Sequence, residues 1–275
     1  MSDYEALTQW FRDAGPALVA FSGGVDSTLL AKAAFDALAE RAVAVTAVSA
    51  SLAPRELDEA RELAAKIGIA HRLETSLETA LPQYLVNDSN RCYHCKTELY
   101  SICERVAGEL DLAVIVNGLN TDDLSDHRPG NKAAKEAGVR SPFVELGLDK
   151  AEIRAHSRRL GLPTAEKPEL ACLASRFPTG TPISIMGLEQ VAAAEDVVAR
   201  LGFSQYRVRF HGDLARIEVP ASEIERLTDA SLRDQLLDGV RATGFRFVTV
   251  DLAGYSRGSS NPVAMAGPPG KGEES

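Results

Sequence analysis

Short apolar runs alternate with longer amphipathic segments over the first part of the chain. The runs cover 17–21, 42–48 and 112–116, and segments with helical spacing of their apolar positions cover 25–38 and 54–67. Strands that alternate with helices usually form a parallel sheet with helices on both faces. The pattern therefore predicts an α/β fold with a doubly wound parallel sheet.

The pattern changes after about residue 163. A proline-containing stretch, 166–182, predicts an extended active-site loop, and the order of the following elements predicts a smaller α+β domain with an antiparallel sheet. The elements are a helix at 187–201, strands at 205–210 and 214–219, a helix at 222–240 and a strand at 245–252. The first two strands are expected to turn at His211-Gly212-Asp213.

This pattern predicts four regions. They are a phosphate-binding domain at 1–165, an active-site loop at 166–182, a small domain for substrate binding or oligomerisation at 183–261, and a disordered tail at 262–275.

Composition narrows the classes of function. The chain has 275 residues and a formal net charge of −9, whereas nucleic-acid-binding domains usually present a basic face. We therefore expect a small-molecule or protein partner rather than nucleic acid. No apolar run approaches the roughly 18 residues of a membrane span, and the start of the chain lacks a signal pattern. We expect a cytoplasmic protein without a membrane partner.

The sharpest motif is FSGGVDST at 21–28, directly between an apolar strand and a helix. Its two glycines let the backbone approach a phosphate, the amides at the helix start point at the anion, and its hydroxyl groups add donors. An aspartate suits such a site when Mg²⁺ bridges it to a phosphate. The motif lacks the Gly-Lys-Ser ending of a Walker A loop. The predicted ligands of the nucleotide are Ser22, Gly23, Gly24, Asp26, Ser27 and Thr28.

Four cysteines occur in the chain, at positions 92, 95, 103 and 172. In a reducing compartment they favour metal binding, sulfur chemistry or packing over disulfides. Cys92 and Cys95 form a C-x-x-C, so that with Cys172 they are candidate ligands of a [4Fe–4S] cluster with one iron left open. Zinc binding that includes His94 is an alternative. Arg176 and Lys167 near Cys172 favour its thiolate, which would make it a nucleophile toward an activated carbonyl, and Cys103 is expected in the core.

Charged side chains elsewhere supply weaker candidates. Asp122 and Asp123 follow the strand that ends at residue 116, so Mg²⁺ or ribose contacts are predicted, with a solvated acidic loop as the alternative. His127 and Arg128 suit phosphate or substrate contacts. Along the strands of the small domain, alternate residues project from one face, and the pairs are Arg207 with Arg209 and Arg216 with Glu218. They predict either a substrate-binding face or a salt-bridged exposed sheet.

The motif at 21–28 resembles the PP-loop of ATP pyrophosphatases, which implies cleavage of ATP to AMP and pyrophosphate. The strings NRCYHCK, NGLNTDDLSDHRPG, ACLASRFPTGTPIS and DLAGYSRGSSN, in this order, resemble the LarE family of sulfur transferases up to about residue 261. The resemblance implies adenylation of a pyridinium dicarboxylate mononucleotide and its conversion to thiocarboxylates, with ATP and Mg²⁺ as cofactors. It places Ser49 and Gly118 at the nucleotide, and at the substrate it places Arg176, Glu195, Arg207, Arg209 and Glu218.

Members of this family differ in their sulfur source. Some sacrifice the sulfur of one cysteine, and Cys172 occupies that position. Cys172 and Asp26 of the phosphate loop are the predicted catalytic residues. Others bind a [4Fe–4S] cluster through three cysteines and use sulfide or another sulfur donor, and Cys92 and Cys95 favour this type. A homo-oligomer is also expected. The alternatives are a tRNA-thiolating PP-loop enzyme and a non-catalytic nucleotide-binding module.

Overall fold

The computed structural model describes residues 3–124, 129–168 and 171–256. The predicted tail at 262–275 and the candidates His127 and Arg128 lie outside the described residues. Across the described ranges, no helix is both long and apolar enough to span a bilayer.

Helices and strands alternate through the first part of the chain. They are α1 (Asp3–Ala14), β1 (Ala17–Ala20), α2 (Val25–Leu38), β2 (Ala42–Val48), α3 (Pro54–Ile67), β3 (Ala70–Thr75), α4 (Pro82–Leu85), α5 (Arg91–Glu109), β4 (Val114–Val116), α6 (Pro129–Glu136), α7 (Pro142–Glu145) and α8 (Lys150–Arg159). The second part contains α9 (Ile185–Arg200), β5 (Arg207–His211), β6 (Leu214–Glu218), α10 (Ile224–Thr228), α11 (Ala230–Ala242) and β7 (Phe247–Val250).

The first sheet is parallel, with the strand order β3-β2-β1-β4. Successive residues of β1 point to opposite faces of the sheet. Val19 packs in a core with α1, α2, α3 and α8, whereas Leu18 packs against α5. Helices therefore cover both faces, and the doubly wound α/β fold is confirmed. The carboxyl ends of these strands share one edge, where open α/β sheets bind ligands.

Helix α5 covers the second face of this sheet. Ile102, Cys103 and Val106 pack against Leu18 and Val45. Cys103 is fully buried, which confirms the prediction that it lies in the core. Burial raises the pKa of its thiol to about 12, so the thiol stays protonated. The C-x-x-C lies at the other end of the helix, near the carboxyl edge of the sheet.

The second sheet is mixed, which corrects the antiparallel sheet expected from the sequence. β5 and β6 form the predicted hairpin with Gly212 at a φ of 65°, but β7 pairs with β6 in parallel. The connection through α10 and α11 returns the chain to the starting end of β6, and this crossover imposes the parallel direction. The expected single helix at 222–240 is interrupted at Asp229, whose carboxylate caps α11 by accepting the Ser231 amide at 2.8 Å.

The stretch at 166–182 is packed where the structure describes it, rather than an extended loop throughout. Residues 173–176 form a 3₁₀ turn, and Leu173, Ala174 and Phe177 are buried in the core of the small sheet. The Leu173 amide donates to the Ser51 carbonyl at 2.9 Å. This bond fixes Cys172, the preceding residue, beside the loop that follows β2.

Candidate active site

The phosphate loop connects β1 to α2 as its sequence predicts. Gly23 has a φ of 68°, and a Cβ there would lie 3.2 Å from the Cα of Ala60 in α3, so both conformation and space favour glycine. The Ser22 and Ser27 hydroxyl oxygens lie 3.2 Å apart. Gly24, the N-cap residue of α2, has no side chain that could occupy the amides at the start of the helix. The amides of the first turn are thus positioned to bind an anion.

Asp26 lies in the first turn of α2 and is held from two other segments. The Lys150 ammonium group donates a hydrogen bond to its carboxylate at 2.5 Å, and the side-chain amide of Asn120 donates another at 3.3 Å. Gly118 packs directly against this turn, since a Cβ there would lie 3.0 Å from the Asp26 Cβ. The end of β4 and the start of α8 therefore complete the phosphate site around Asp26.

Two lysines supply the positive charge that the loop motif lacks, and neither is among the residues predicted from the sequence for the phosphate site. Lys150 begins α8, where a cation opposes the helix dipole, and this unfavourable position was the available signal for another partner. Lys167 donates to the Gly23 carbonyl at 3.0 Å and pairs with Glu59 of α3 at 2.7 Å. Both ammonium groups therefore contact the phosphate loop.

The remaining candidates near the nucleotide have structural contacts of their own. Thr28 is fully buried and lines a cavity of about 200 Å³ with residues of α3 and of 160–163. The Ser49 hydroxyl donates to the buried Glu78 carboxylate at 2.6 Å. The Asp122 carboxylate accepts a hydrogen bond from the Lys150 backbone amide at 3.2 Å, and the Asp123 carboxylate accepts one from the Asn120 backbone amide at 3.3 Å. Nucleotide or Mg²⁺ contacts of these residues stay predictions.

Cys92 and Cys95, at the start of α5, each interact electrostatically with Cys172, which precedes the 173–176 turn. Cys95 and Cys172 pack on the same core, and Arg91 joins the two segments, donating to the Cys92 sulfur at 3.7 Å and to the Ala174 carbonyl at 2.9 Å. Among the described residues, no three or more His, Cys, Asp or Glu side chains form a group that could hold a metal ion. This geometry gives no support to zinc ligation through His94.

The thiol of Cys172 is not activated in the way that its neighbours in the sequence suggest. Burial raises its pKa, and the guanidinium groups of Arg91 and Arg176 only partly counteract this effect. Burial also raises the pKa of Cys95, and the buried carboxylate of Glu78 adds to the increase. Desolvation thus outweighs the nearby cations, so the expectation of a favoured thiolate at Cys172 is wrong for the protein without ligands.

Two buried ion pairs support the segment that carries Cys172. Arg176, which is 2% exposed, donates to the Glu195 carboxylate at 2.8 and 2.9 Å and to the Cys172 carbonyl at 3.1 Å. Arg209 donates to the Ser175 carbonyl at 3.0 Å and pairs with Glu218 at 2.8 Å.

These pairs are buried, unlike those of the salt-bridged exposed sheet considered as an alternative. We infer that Arg176, Glu195, Arg209 and Glu218 position the Cys172 segment. Their contact with substrate stays a prediction.

Arg207 lies close to the Arg176–Glu195 pair. Its guanidinium group lies 5.2 Å from the centre of the Tyr255 ring and donates to the Tyr206 carbonyl at 2.6 Å. Burial and then the neighbouring Arg176 lower its pKa, although Glu195 counteracts them. A contact of Arg207 with the substrate stays a prediction.

The strand, glycine turn and helix, with an aspartate in the first turn and two lysines beside it, define the PP-loop class of ATP pyrophosphatases. Residues 4–97 match the family model described as asparagine synthase. A probable tRNA sulfurtransferase from Methanothermobacter thermautotrophicus is 28% identical over 54% of this chain and 40% of its own length.

Two relatives match almost the whole chain. An uncharacterised protein from Synechocystis sp. is 47% identical over 95% of this chain and 98% of its own. Pyridinium-3,5-bisthiocarboxylic acid mononucleotide synthase from Lactiplantibacillus plantarum is 37% identical over 93% of this chain and 92% of its own. The chain therefore belongs to the LarE family of ATP-dependent sulfur transferases.

Proposed function

We propose that the protein adenylates the carboxylates of a pyridinium dicarboxylate mononucleotide and converts them to thiocarboxylates during nickel-pincer cofactor biosynthesis. One observation carries this proposal: described residues on both sides of Cys172 contact the loops that follow β1 and β2. Lys167 contacts the Gly23 carbonyl at 3.0 Å, and the Leu173 amide contacts the Ser51 carbonyl at 2.9 Å. An activated carboxylate and a sulfur source would therefore meet at one edge of the sheet. The name of the Lactiplantibacillus relative supports the choice of substrate.

The phosphate loop performs the first half of the reaction. A substrate carboxylate oxygen attacks the α-phosphorus of ATP, and the bond from that phosphorus to the bridging oxygen breaks, so the products are an acyl adenylate and pyrophosphate. The first-turn amides of α2 bind the departing pyrophosphate. Asp26 would hold a Mg²⁺ ion, whose charge would stabilise the pyrophosphate, and Lys150 and Lys167 add positive charge beside the loop.

Sulfur delivery follows at Cys172 by one of two routes. In the first, sulfide attacks the acyl carbon, AMP leaves, and the product is a thiocarboxylate. In the second, the Cys172 sulfur attacks and forms a thioester with release of AMP. Loss of the Cα proton then breaks the Cβ–S bond, leaving dehydroalanine in the chain and a thiocarboxylate on the substrate. The second route requires deprotonation of the Cys172 thiol, which burial disfavours by raising its pKa.

The cysteines around Cys172 support the first route. Cys92 and Cys95 each interact electrostatically with Cys172, and Arg91 contacts both the Cys92 sulfur and the Ala174 carbonyl. A [4Fe–4S] cluster spreads its ligands over separate irons, and Cys92, Cys95 and Cys172 would hold three of them. The cluster would supply an open iron for sulfide. Arg91 would offset part of its negative charge and keep the two segments together.

Carboxylate-dependent splitting of ATP tests the proposal. With Mg²⁺·ATP and pyridine-3,5-dicarboxylate mononucleotide, the protein is expected to release AMP and pyrophosphate in equal amounts. Asp26→Asn removes a Mg²⁺ ligand and should lower the rate about 100-fold or more. The control Asp36→Asn, which alters the exposed Lys32–Asp36 pair on the same helix, should not change the rate. Release of ADP and phosphate would contradict the proposal.

Mass spectrometry of Cys172 after turnover separates the two sulfur routes. An intact Cys172 in iron-containing protein supports sulfide delivery, whereas conversion to dehydroalanine supports the sacrificial route. A tRNA gel shift over a range of salt concentrations tests the alternative of tRNA thiolation. Tight, salt-sensitive binding would favour tRNA as the substrate.

A further inference from the structure

Asn87 is a buried residue in the loop between α4 and α5. It is 1% exposed and has a φ of 56°, a left-handed conformation that asparagine adopts more readily than most residues. Its side-chain nitrogen donates hydrogen bonds to the Pro178 carbonyl at 2.9 Å and to the Thr181 carbonyl at 2.8 Å. Its backbone carbonyl accepts a hydrogen bond from the Gly180 amide at 2.8 Å. These three bonds hold the segment 178–181 against Asn87.

The other end of the same side chain contacts Arg91, the first residue of α5. The Asn87 side-chain oxygen accepts a hydrogen bond from the Arg91 Nη1 at 2.7 Å, and Nη1 also donates to the Ala174 carbonyl at 2.9 Å. The second terminal nitrogen, Nη2, donates to the Cys92 sulfur at 3.7 Å. Because a guanidinium group is planar and rigid, the two bonds that fix Nη1 also fix the direction of Nη2 toward the sulfur.

Only a side chain with both a donor and an acceptor fits between these partners. Backbone carbonyl groups accept hydrogen bonds, whereas a guanidinium group only donates them. The amide of Asn87 therefore has one defined orientation, with its nitrogen toward the segment 178–181 and its oxygen toward Arg91. Its oxygen orients a charged side chain beside a cysteine, which closing the loop alone would not require.

We propose that Asn87 is a positioning residue for sulfur transfer, which acts by holding the Arg91 guanidinium group toward Cys92 and the turn after Cys172. This inference rests on the proposed function. Sulfur carries negative charge when it is delivered, and a cation that is already oriented stabilises such charge without reorganising. The phosphate loop is held by other segments, among them α3 and the start of α8, so ATP cleavage does not depend on Asn87.

Two substitutions of Asn87 separate the two ends of its side chain. Asn87→Gly keeps the left-handed backbone but removes both ends. In a single turnover of the full chain with Mg²⁺·ATP, sulfide and the pyridinium dicarboxylate mononucleotide, it should slow sulfur incorporation about tenfold, the factor expected of one hydrogen bond to a charged group. Pyrophosphate release should stay within about twofold of the wild-type rate. Asn87→Asp keeps the acceptor for Arg91 and loses the donor, so it should incorporate sulfur at nearly the wild-type rate despite lower stability in urea.

A control and a double variant distinguish positioning from support of the loop. Gly180 has a φ of 85°, and a Cβ there would meet no atom within 4 Å. Gly180→Ala therefore strains the same segment without touching Arg91, and it should leave sulfur incorporation unchanged. Because Asn87 acts through Arg91, adding Asn87→Gly to Arg91→Met should slow sulfur incorporation no further than Arg91→Met alone.

The possible outcomes separate this inference from the proposed function. An unchanged rate of sulfur incorporation in Asn87→Gly would overturn the role of Asn87. So would an equal loss in Asn87→Asp or Gly180→Ala, or a further loss in the double variant, since each would indicate support of the loop alone. If Asn87→Gly does not fold, the rate of Asn87→Asp still decides, because loss of sulfur incorporation there contradicts positioning through Arg91. A wild-type protein that incorporates no sulfur would contradict the proposed function itself.

Discussion

Gly118 offers a direct test of the geometry of the phosphate site. It follows β4 and packs against the first turn of α2. A Cβ at this position would lie 3.0 Å from the Asp26 Cβ, 3.1 Å from the Ser27 amide nitrogen and 3.2 Å from the Asp26 carbonyl carbon. Gly118 does not adopt a positive φ. The effect of Gly118→Ala therefore comes from packing rather than from backbone strain.

The size of the effect follows from these contacts. Two of the three atoms belong to the backbone of α2, so the first turn must move by a few tenths of an ångström to accept a methyl group. Overpacking of this kind typically costs about 1–3 kcal/mol in the free energy of unfolding. The same displacement moves the amides and the Asp26 carboxylate that bind the phosphates and Mg²⁺, so we expect ATP affinity to fall roughly tenfold.

Urea unfolding and isothermal titration with Mg²⁺ and α,β-methylene-ATP, which resists cleavage, measure the two effects. Gly108→Ala is the matched control, because a Cβ at this position in α5 would meet no atom within 4 Å. Replacing a helical glycine with alanine should raise stability by up to about 1 kcal/mol and leave ATP affinity unchanged. A Gly118→Ala protein that binds the nucleotide as tightly as the wild type would refute this account of the phosphate site.

Three further substitutions test other parts of the site. Lys150→Met should weaken binding of pyrophosphate about tenfold, as measured by titration, because it removes a charge-assisted contact. Lys135→Met, at an exposed position of α6, should leave this affinity unchanged. Equal pyrophosphate affinities of Lys150→Met and the wild type would contradict the role of Lys150. After anaerobic purification, Cys92→Ala should lose most bound iron and sulfide while Cys103→Ala keeps them, and an iron-free wild type would contradict the cluster. Glu218→Gln should lower the free energy of unfolding in urea by about 3–5 kcal/mol, because Glu218 is fully buried beside two arginines; a loss below 1 kcal/mol would contradict this estimate.

The parts of the fold that the sequence predicts are those with a strong local pattern. β1, the phosphate loop and α2 form one continuous signal of apolar strand, glycines and helix. β3 was missed because it is an edge strand of mixed polarity, AHRLET, without the apolar run that marks a buried strand. The parallel direction of β7 depends on how the chain returns across α11, which no local pattern encodes.

In the candidate site, too, only the residues with a strong local pattern could be predicted from the sequence. The phosphate loop has such a pattern because its glycines and hydroxyl groups are adjacent in sequence. Lys150 and Lys167 reach that loop across 124 and 144 positions of the chain, so only the folded structure brings them together. The sequence shows the cations near Cys172, which lower the pKa of its thiol. It does not show how deeply the thiol is buried, and burial raises the pKa by more than the cations lower it.

Analysis of the product tests the central claim most directly. The wild-type protein is incubated without oxygen with Mg²⁺·ATP, sulfide and the pyridinium dicarboxylate mononucleotide, and the substrate is then examined by mass spectrometry. We predict that carboxylate oxygen is replaced by sulfur, with one AMP and one pyrophosphate formed for each replacement. Formation of AMP and pyrophosphate without sulfur in the nucleotide product would contradict the assignment of this chain as its sulfur transferase.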